Sequence, residues 1–257
     1  MTASISFDRA ADYYDATRAL PHDVREQVNG LLAAELAGRP ACLEIGVGTG
    51  RIGLPLARHG LDILGLDLAR PMLERLVANA GGRPPFPLLV GDATRLPLAS
   101  SSCGAVLACH VLHLIPDWRA AVDEALRVLA PGGALLVDFG GPVRAPWHSA
   151  LVEIAARHRV AVVRPGASDP AEVARYLAGR ATARVLPTVT FDVTLRLAAD
   201  LDNVEQQIFS WTWDHAPEQL KAVCDDIRRW ACDEGRDLQE PVTVERTIRW
   251  QAYEPLR

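Results

Sequence analysis

The run LEIGVGTGR, residues 43 to 51, is the feature that most constrains how this chain can fold. Its apolar beginning predicts a buried strand, and three glycines at every second position allow a sharp turn that a ligand can approach closely. A strand, a glycine turn and a helix in succession are typical of nucleotide-binding α/β folds. The dinucleotide pattern G-x-G-x-x-G would need glycine where this chain has Arg51, which argues against NAD.

Composition and charge narrow the class of protein. The 257 residues are 49% hydrophobic and 23% charged, with a formal net charge of −5, which is ordinary for a soluble globular chain and gives no basic surface for nucleic acid. The five cysteines form no C-x-x-C pair, so we expect reduced thiols and no metal site. The polar start MTASISFDRAADYYD predicts no signal peptide, no membrane association and a cytoplasmic location.

Apolar segments alternate with helix-like segments between residues 41 and 140. This order predicts a doubly wound, Rossmann-like α/β fold, with helices on both faces of a parallel sheet. The predicted strands cover residues 41–47, 62–68, 87–93, 104–110 and 134–139. The predicted helices cover 50–59, 69–80 and 117–129, the last ended by Pro131, Gly132 and Gly133.

The flanking regions are predicted to complete one domain, residues 1–257. A lid at 7–20 and an amphipathic helix at 22–38 form an N-terminal part (1–38), followed by a cofactor-binding core (39–140). Residues 141–257 are predicted to supply the remaining strands and the helices that face the substrate. The elements expected there are helices at 146–159, 169–178 and around 220–231, and strands at 189–197 and 242–253.

Polar residues near the strand ends are the candidate ligand contacts, because open α/β sheets bind ligands at the carboxyl ends of their strands. Glu44 lies in the first strand, and Asp67, Asp92 and His110 end the next three. Asp67 is placed either to accept hydrogen bonds from ribose hydroxyls or to cap the following helix. Asp92 is placed either to recognise an adenine amine or to form a turn.

The chain resembles the class I S-adenosylmethionine-dependent methyltransferases, in the small-molecule group related to ubiquinone biosynthesis. The resemblance rests on YDATR at 14–18, EIGVGTGR, GLDL, GDATRLPL and LRVLAPGGALLV at 126–137. It implies a seven-stranded sheet with six parallel strands and one antiparallel strand. It also implies methyl transfer from S-adenosylmethionine to a small organic acceptor, with S-adenosylhomocysteine as the second product.

The resemblance further implies which residues bind the cofactor. The glycines wrap the methionine and ribose, Asp67 holds the ribose hydroxyls, Leu68 and Met72 pack on adenine, and Asp92 reaches its amine. The N-terminal segment closes over the methionine end, where Arg18 pairs with the carboxylate, although Tyr14 can equally be a surface aromatic. The expected set is Tyr14, Arg18, Glu44, Gly46, Gly48, Thr49, Gly50, Asp67, Leu68, Met72, Asp92, Ala93 and His110.

Catalysis needs few side chains here, because the sulfonium is already activated and a general base helps only a protic acceptor. His110 and His113 are the candidate bases, with packing roles as the alternative. In FSWTWDH, residues 209–215, tryptophans two apart would point the same way on an extended segment, and they predict either an apolar acceptor pocket or core packing. His148 and His215 are further candidates for polar contact with the acceptor.

Three other functions remain open from the residues alone. They are an RNA or protein methyltransferase, an NAD(P)-dependent oxidoreductase, and a protein that binds the cofactor without turnover. The expected partner is a small-molecule acceptor, and the expected assembly is a monomer or homodimer.

Overall fold

The computed structural model describes residues 4–140 and 145–256, and the chain forms two compact units. The first comprises Met1–Gly141, Pro165–Val189 and Thr247–Arg257, and the second comprises Pro142–Arg164 and Thr190–Arg246. The second unit is therefore built from two segments that interrupt the first.

The first unit contains a seven-stranded sheet in the order β3-β2-β1-β4-β5-β9-β6. Its strands are β1 Cys42–Ile45, β2 Ile63–Asp67, β3 Leu88–Val90, β4 Cys103–Cys109, β5 Leu129–Asp138, β6 Ala181–Val185 and β9 Gln251–Pro255. Strand β9 runs antiparallel to both of its neighbours, and the pairs among β1 to β5 are parallel. The expected fold class is confirmed.

Five helices of the first unit lie within predicted segments, and a sixth, α1, lies in the stretch that was expected to form a lid. They are α1 Tyr14–Arg18, α2 His22–Leu36, α3 Gly53–Arg58, α4 Arg70–Asn79, α5 Trp118–Val128 and α7 Pro170–Leu177. The Asp117 carboxylate caps α5 by accepting from the Ala120 amide. Two boundaries differ: α3 begins at Gly53 rather than at residue 50, and Pro131, Gly132 and Gly133, which were expected to end α5, lie inside β5, at an irregularity where the pairing with β4 shifts register.

The core of this unit centres on β1, β4 and β5, all of whose central residues are buried. Leu43 and Ile45 face the cluster formed with α5, where Ala121, Val122 and Ala125 are buried. Glu44, between the two apolar residues, must point to the opposite face because side chains alternate along a strand. The carboxyl ends of the strands are held in place by this packing.

The second unit contains α6 His148–Arg157, α8 Leu197–Glu205, α9 Pro217–Asp233 and most of a two-stranded sheet of β7 Val189–Leu195 and β8 Val242–Ile248. The single strand predicted at 242–253 is wrong, because the chain breaks between β8 and β9, which belong to different sheets. Strand β6 was not predicted, because its five residues ATARV are short and only weakly apolar, and four of the five are exposed.

The segment 209–215 is not extended, which corrects the geometric argument made for its tryptophans. Ser210–Thr212 form a 3₁₀ helix, and Phe209 and Trp211 stack with ring centroids 6.1 Å apart. Both rings pack against the buried cluster of the second unit. In residues 4–140 and 145–256, no helix combines the length and apolar character needed to cross a bilayer.

Candidate active site

The glycine turn leaves the carboxyl end of β1, as the sequence predicts. Gly46, Gly48 and Gly50 have φ angles of +66°, +55° and +85°, a region that favours glycine. A Cβ on Gly46 would lie 2.5 Å from Cγ2 of Val111, and one on Gly50 would lie 2.6 Å from Cγ of Leu54. Glycine is therefore required both by conformation and by space.

The carboxylate of Asp67 joins this turn to the end of β2. Its Oδ2 accepts a hydrogen bond of 2.8 Å from the Gly48 amide, and its Oδ1 accepts one of 2.8 Å from the Ala69 amide. Burial raises the pKa of Asp67, and the two amides oppose that rise. Asp67 is thus hydrogen-bonded to both the glycine turn and the start of α4. This position is compatible with binding ribose hydroxyls and with capping the helix.

The residues beyond β2 and β3 differ in exposure. Leu68 is 40% exposed, and Ala93 is buried. Asp92 lies two residues beyond β3 rather than ending it, and its Oδ1 accepts from both the amide and the hydroxyl of Thr94 at 2.9 Å. Asp92 forms a turn, which leaves Oδ2 as the oxygen that can face a ligand.

Glu44 is a buried acid under the glycine turn, with 3% of its surface exposed. Its Oε2 has no hydrogen-bond partner among the described residues, and a Cβ on Gly53 would lie 2.7 Å from that atom. Burial raises the pKa of Glu44 to about 8, and the charge of Asp67 adds to the rise, while Arg51 and the Gly53 amide oppose it. The carboxyl is therefore largely protonated at neutral pH.

The N-terminal segment packs over the same region. Phe7, Ala11 and Tyr14 pack with Ala69 and Met72, and the rings of Phe7 and Tyr14 meet edge to face at 5.9 Å. Tyr14 is half-buried, and burial raises the pKa of its hydroxyl.

Arg18, at the end of α1, lies near Tyr14, and the guanidinium charge opposes the rise in the pKa of that residue. Its Nη1 donates to the Thr17 carbonyl at 3.2 Å. Tyr14 and Arg18 are the first and last residues of α1.

A polar cluster occupies the adjacent ends of β4 and β5. Nε2 of His110 lies 3.2 Å from Oδ2 of Asp138, and Sγ of Cys109 lies 3.9 Å from the same oxygen. Nη2 of Arg51 donates to Sγ of Cys109 at 3.4 Å. Burial disfavours the Arg51 charge, but Cys109, Tyr14, Asp138 and Glu44 together raise its pKa.

Cys109, His110 and Asp138 also present donor atoms within 4.8 Å of one another, as a metal site would require. The guanidinium of Arg51 next to Cys109 opposes a cation there. Burial also raises the pKa of the Cys109 thiol, so the thiolate that a metal would need is disfavoured. The cluster fits proton chemistry better than metal binding.

The other candidate histidines lie elsewhere. His113 belongs to the 3₁₀ helix Leu112–Leu114, and its carbonyl accepts from the Gly166 amide at 3.0 Å. His148 begins α6 and His215 precedes α9, both in the second unit.

Comparison with known proteins identifies the family. Residues 43–137 match the model of the methyltransferase domain family. The demethylmenaquinone methyltransferase of Renibacterium salmoninarum is 30% identical over 211 residues, which cover 80% of this chain and 81% of the relative. This chain belongs to the class I S-adenosylmethionine-dependent methyltransferases.

One further relative and one solved structure are similar to this methyltransferase. The malonyl-[acyl-carrier protein] O-methyltransferase of Xylella fastidiosa is 30% identical over 142 residues, covering 53% of this chain and 48% of that protein. The YcgJ protein of Bacillus subtilis has a solved structure that matches with a TM-score of 0.60 at 19% identity, covering 90% of this chain and 100% of that chain. The structural match supports the fold alone.

The described residues fit S-adenosylmethionine, the cofactor of this family. The three glycines leave the turn without Cβ atoms, and the exposed Leu68 offers an apolar surface. Among the described residues, Oε2 of Glu44 is a buried polar atom with no hydrogen-bond partner. A methyltransferase rather than a nicotinamide-dependent oxidoreductase is the class that the comparisons establish.

Two site residues were missed from the sequence. Asp138 ends β5, so the strand-end rule applied to Asp67 would have found it if it had been extended to the fifth strand. Asp15 lies inside the recognised YDATR motif, but its bond to Thr49, 34 residues away, leaves no local sequence signal.

Proposed function

We propose that this methyltransferase transfers the methyl group of S-adenosylmethionine to a small organic acceptor bound near the ends of β4 and β5. The observation that carries the proposal is the 2.8 Å bond from the Gly48 amide to Asp67, which joins the glycine turn to the acidic strand end. Those two elements together are what a nucleoside with free ribose hydroxyls requires.

Each residue that is predicted to bind the cofactor has a proposed contact with one part of it. Thr49 and the glycines at 46, 48 and 50 hold the methionine and ribose with Glu44 beneath them, and Asp67 holds the ribose hydroxyls. Leu68 and Met72 contact the adenine, with Asp92 and Ala93 at its edge. Tyr14 and Arg18 cover the methionine end, where Arg18 pairs with the carboxylate.

When bound, S-adenosylmethionine supplies an electrophilic methyl group on a sulfonium. The chain's own contribution is to position the acceptor, exclude water and receive any proton that the acceptor loses. His110 and His113 are the proposed bases, and His110 has the stronger support because a buried carboxylate lies beside its ring.

We propose a small-molecule acceptor because the names of the relatives state which substrates those proteins methylate. One relative acts on demethylmenaquinone, and another methylates an oxygen of malonyl-acyl carrier protein. The net charge of −5 also disfavours an RNA substrate. The role of Phe209, Trp211 and Trp213 in an acceptor pocket stays a prediction.

Calorimetry tests cofactor binding directly. Purified protein is titrated with S-adenosylmethionine and S-adenosylhomocysteine, and we expect saturable binding that is weakened at least ~10-fold in Asp67→Ala. Asp123→Ala is the matched control. Asp123 is an exposed residue of α5, and its carboxylate pairs with Arg180. No heat with either ligand would disprove the proposal.

Turnover is tested by mass spectrometry with a trideuteromethyl cofactor. A mass increase of one labelled methyl group on an acceptor, with equal release of S-adenosylhomocysteine, identifies the acceptor and the reaction. Cofactor binding without release of that product on any acceptor would instead indicate a non-catalytic member of the family.

A further inference from the structure

His110 is held in an unusual backbone conformation immediately after β4. Its φ angle is +52°, in the left-handed region that non-glycine residues rarely adopt. Its amide donates to the Asp138 carbonyl at 2.8 Å, which continues the pairing of β4 with β5 by one residue. Strain of this kind persists only where the surrounding structure fixes it, and it is concentrated at functional sites.

Gly140 provides the space that the His110 ring occupies. It has a φ angle of +62°, and a Cβ on this residue would overlap the imidazole. The Gly140 amide donates to Oδ1 of Asp138 at 2.9 Å. The end of β5 therefore both makes room for the ring and fixes the carboxylate beside it.

Asp138 is the carboxylate that lies beside the His110 ring. It is 4% exposed, and Oδ2 lies 3.2 Å from Nε2 of His110. Burial works against ionisation of Asp138, but His110, the Gly140 amide and Arg51 together hold its pKa below the ordinary value. A buried, ionised carboxylate at Nε2 favours the tautomer with the proton on that nitrogen and a basic lone pair on Nδ1.

We propose that Asp138 is a positioning residue that orients His110 as the general base, and that the acceptor is a compound with an ionisable O–H or acidic C–H. This inference rests on the proposed methyl transfer and assigns the acceptor class of the same site. Neither the comparisons nor the sequence pattern assigns a role to Asp138.

The proton and charge balance is complete within the site. The O–H or C–H bond of the acceptor breaks, and its proton goes to Nδ1 of His110. The electron pair left on the acceptor bonds to the methyl carbon, while the pair of the C–S bond stays on sulfur. The products are the methylated acceptor, a neutral thioether and an imidazolium whose charge Asp138 offsets.

Other ionisable groups around the pair set its electrostatic background. Cys109 lies beside Asp138 on β4, and Arg51 reaches the pair from the end of the glycine turn. Glu44 and Tyr14 act on Arg51 from β1 and α1. Because the Cys109 thiol stays neutral, His110 and Arg51 are the charged side chains, among the described residues, that lower the pKa of Asp138.

The first experiment is an NMR titration of the His110 ring in protein saturated with S-adenosylhomocysteine. We expect its midpoint to move to lower pH in Asp138→Asn, because the variant loses the negative charge that stabilises the imidazolium. Asp226→Asn is the matched control, since it breaks a second histidine–aspartate pair, 2.8 Å from His158 in the other unit. It should leave the His110 midpoint unchanged.

The second experiment measures methyl transfer to 1,4-dihydroxynaphthalene under reducing conditions, with 1-naphthylamine as the amine counterpart. We expect transfer to the quinol, with kcat rising through the His110 midpoint as pH increases. In Asp138→Asn the plateau should fall at least ~10-fold and the acid limb should move to lower pH with the NMR midpoint. Asp226→Asn should match the wild type.

The outcomes are distinguishable from failure of the proposed function. An unchanged His110 midpoint, an unchanged kcat profile, or transfer to the amine alone overturns the inference, as does absence of transfer to the quinol while S-adenosylhomocysteine still binds. Absence of cofactor binding overturns the proposed function instead. If Asp138→Asn does not fold, His110→Gln decides, because in protein saturated with cofactor it must abolish the acid limb of the kcat profile, and a retained acid limb overturns the inference.

Discussion

Oδ1 of Asp15 accepts a hydrogen bond of 2.5 Å from the Thr49 hydroxyl, and this contact fastens the N-terminal helix α1 to the glycine turn. Nδ2 of Asn79 donates to Oδ2 of the same carboxylate at 2.9 Å and to the Thr49 carbonyl at 3.3 Å. Arg75 adds an ion pair at 3.7 Å. Three elements that are distant in sequence are thus joined by one carboxylate.

Replacing Asp15 with alanine should loosen the cover over the cofactor. A hydrogen bond to a charged group contributes about 1.5 kcal/mol, so we expect the dissociation constant of S-adenosylhomocysteine to rise roughly tenfold. Most of the change should be a faster dissociation rate, measured by stopped-flow fluorescence. Asp12→Ala, an exposed position in the same segment, is the control, and equal rates in both variants would contradict the assignment.

The core could be predicted from sequence because local signals agree there. The apolar run before the glycine turn, the helix caps and the alternation of elements all specify the same parallel sheet. Asp67 was found because a strand-end acid follows the glycines at a characteristic distance, and its bond to Gly48 confirms that the two elements meet.

The rest of the fold and of the candidate site depends on contacts between distant segments, which sequence patterns do not encode. Strand β6 is exposed at the sheet edge, and its five residues are too short and too weakly apolar to stand out in the sequence, so its pairing with β9 is what defines it. The region 242–253 alternates throughout, yet the chain leaves one sheet and enters another at Arg249 and Trp250. The contact between His110 and Asp138 depends on the register that places Cys109 of β4 opposite Asp138 of β5.

The buried Glu44 predicts a specific pH dependence of stability. Its pKa of about 8 in the folded protein exceeds that of an unfolded glutamate, about 4.3. The folded state therefore binds more protons than the unfolded state between these values, and stability falls as pH rises through this window. Each unit of difference corresponds to about 1.4 kcal/mol, so the effect should be large.

Glu44→Gln keeps the size of the side chain and removes its titration. Urea unfolding at pH 5.5 and pH 8 should show the wild type losing stability relative to the variant at the higher pH. Parallel unfolding free energies for both proteins across the two pH values would show that Glu44 ionises in the folded state as easily as in water.

Two glycines with similar backbone angles separate conformational strain from steric overlap. Gly46 and Gly60 have φ angles of +66° and +81°, but only a Cβ on Gly46 meets another group, Val111. Both alanine variants should lose about 1 kcal/mol to the left-handed conformation. Gly46→Ala should lose a further ~1–3 kcal/mol in urea unfolding and also weaken cofactor binding. Equal losses would mean that Val111 moves aside without cost.

Trp147 and Asp200 provide a test of the second unit on its own. Nε1 of Trp147 donates to Oδ2 of Asp200 at 2.7 Å, and the tryptophan is 4% exposed. Burial raises the pKa of Asp200, and the indole donor opposes that rise. Trp147→Phe removes the donor and leaves a partly buried carboxylate without it, which should cost about 1–3 kcal/mol of unfolding free energy.

The pH dependence of this loss identifies its cause. Without the indole donor, the pKa of Asp200 in the folded protein should rise further, so Trp147→Phe should lose more stability at pH 8 than at pH 5. Trp211→Phe, which changes a stacked ring of the same unit, is the control and should show the same loss at both pH values. Circular dichroism in urea measures both variants, and a pH-independent loss in Trp147→Phe would indicate packing, rather than the hydrogen bond to Asp200, as the main contribution.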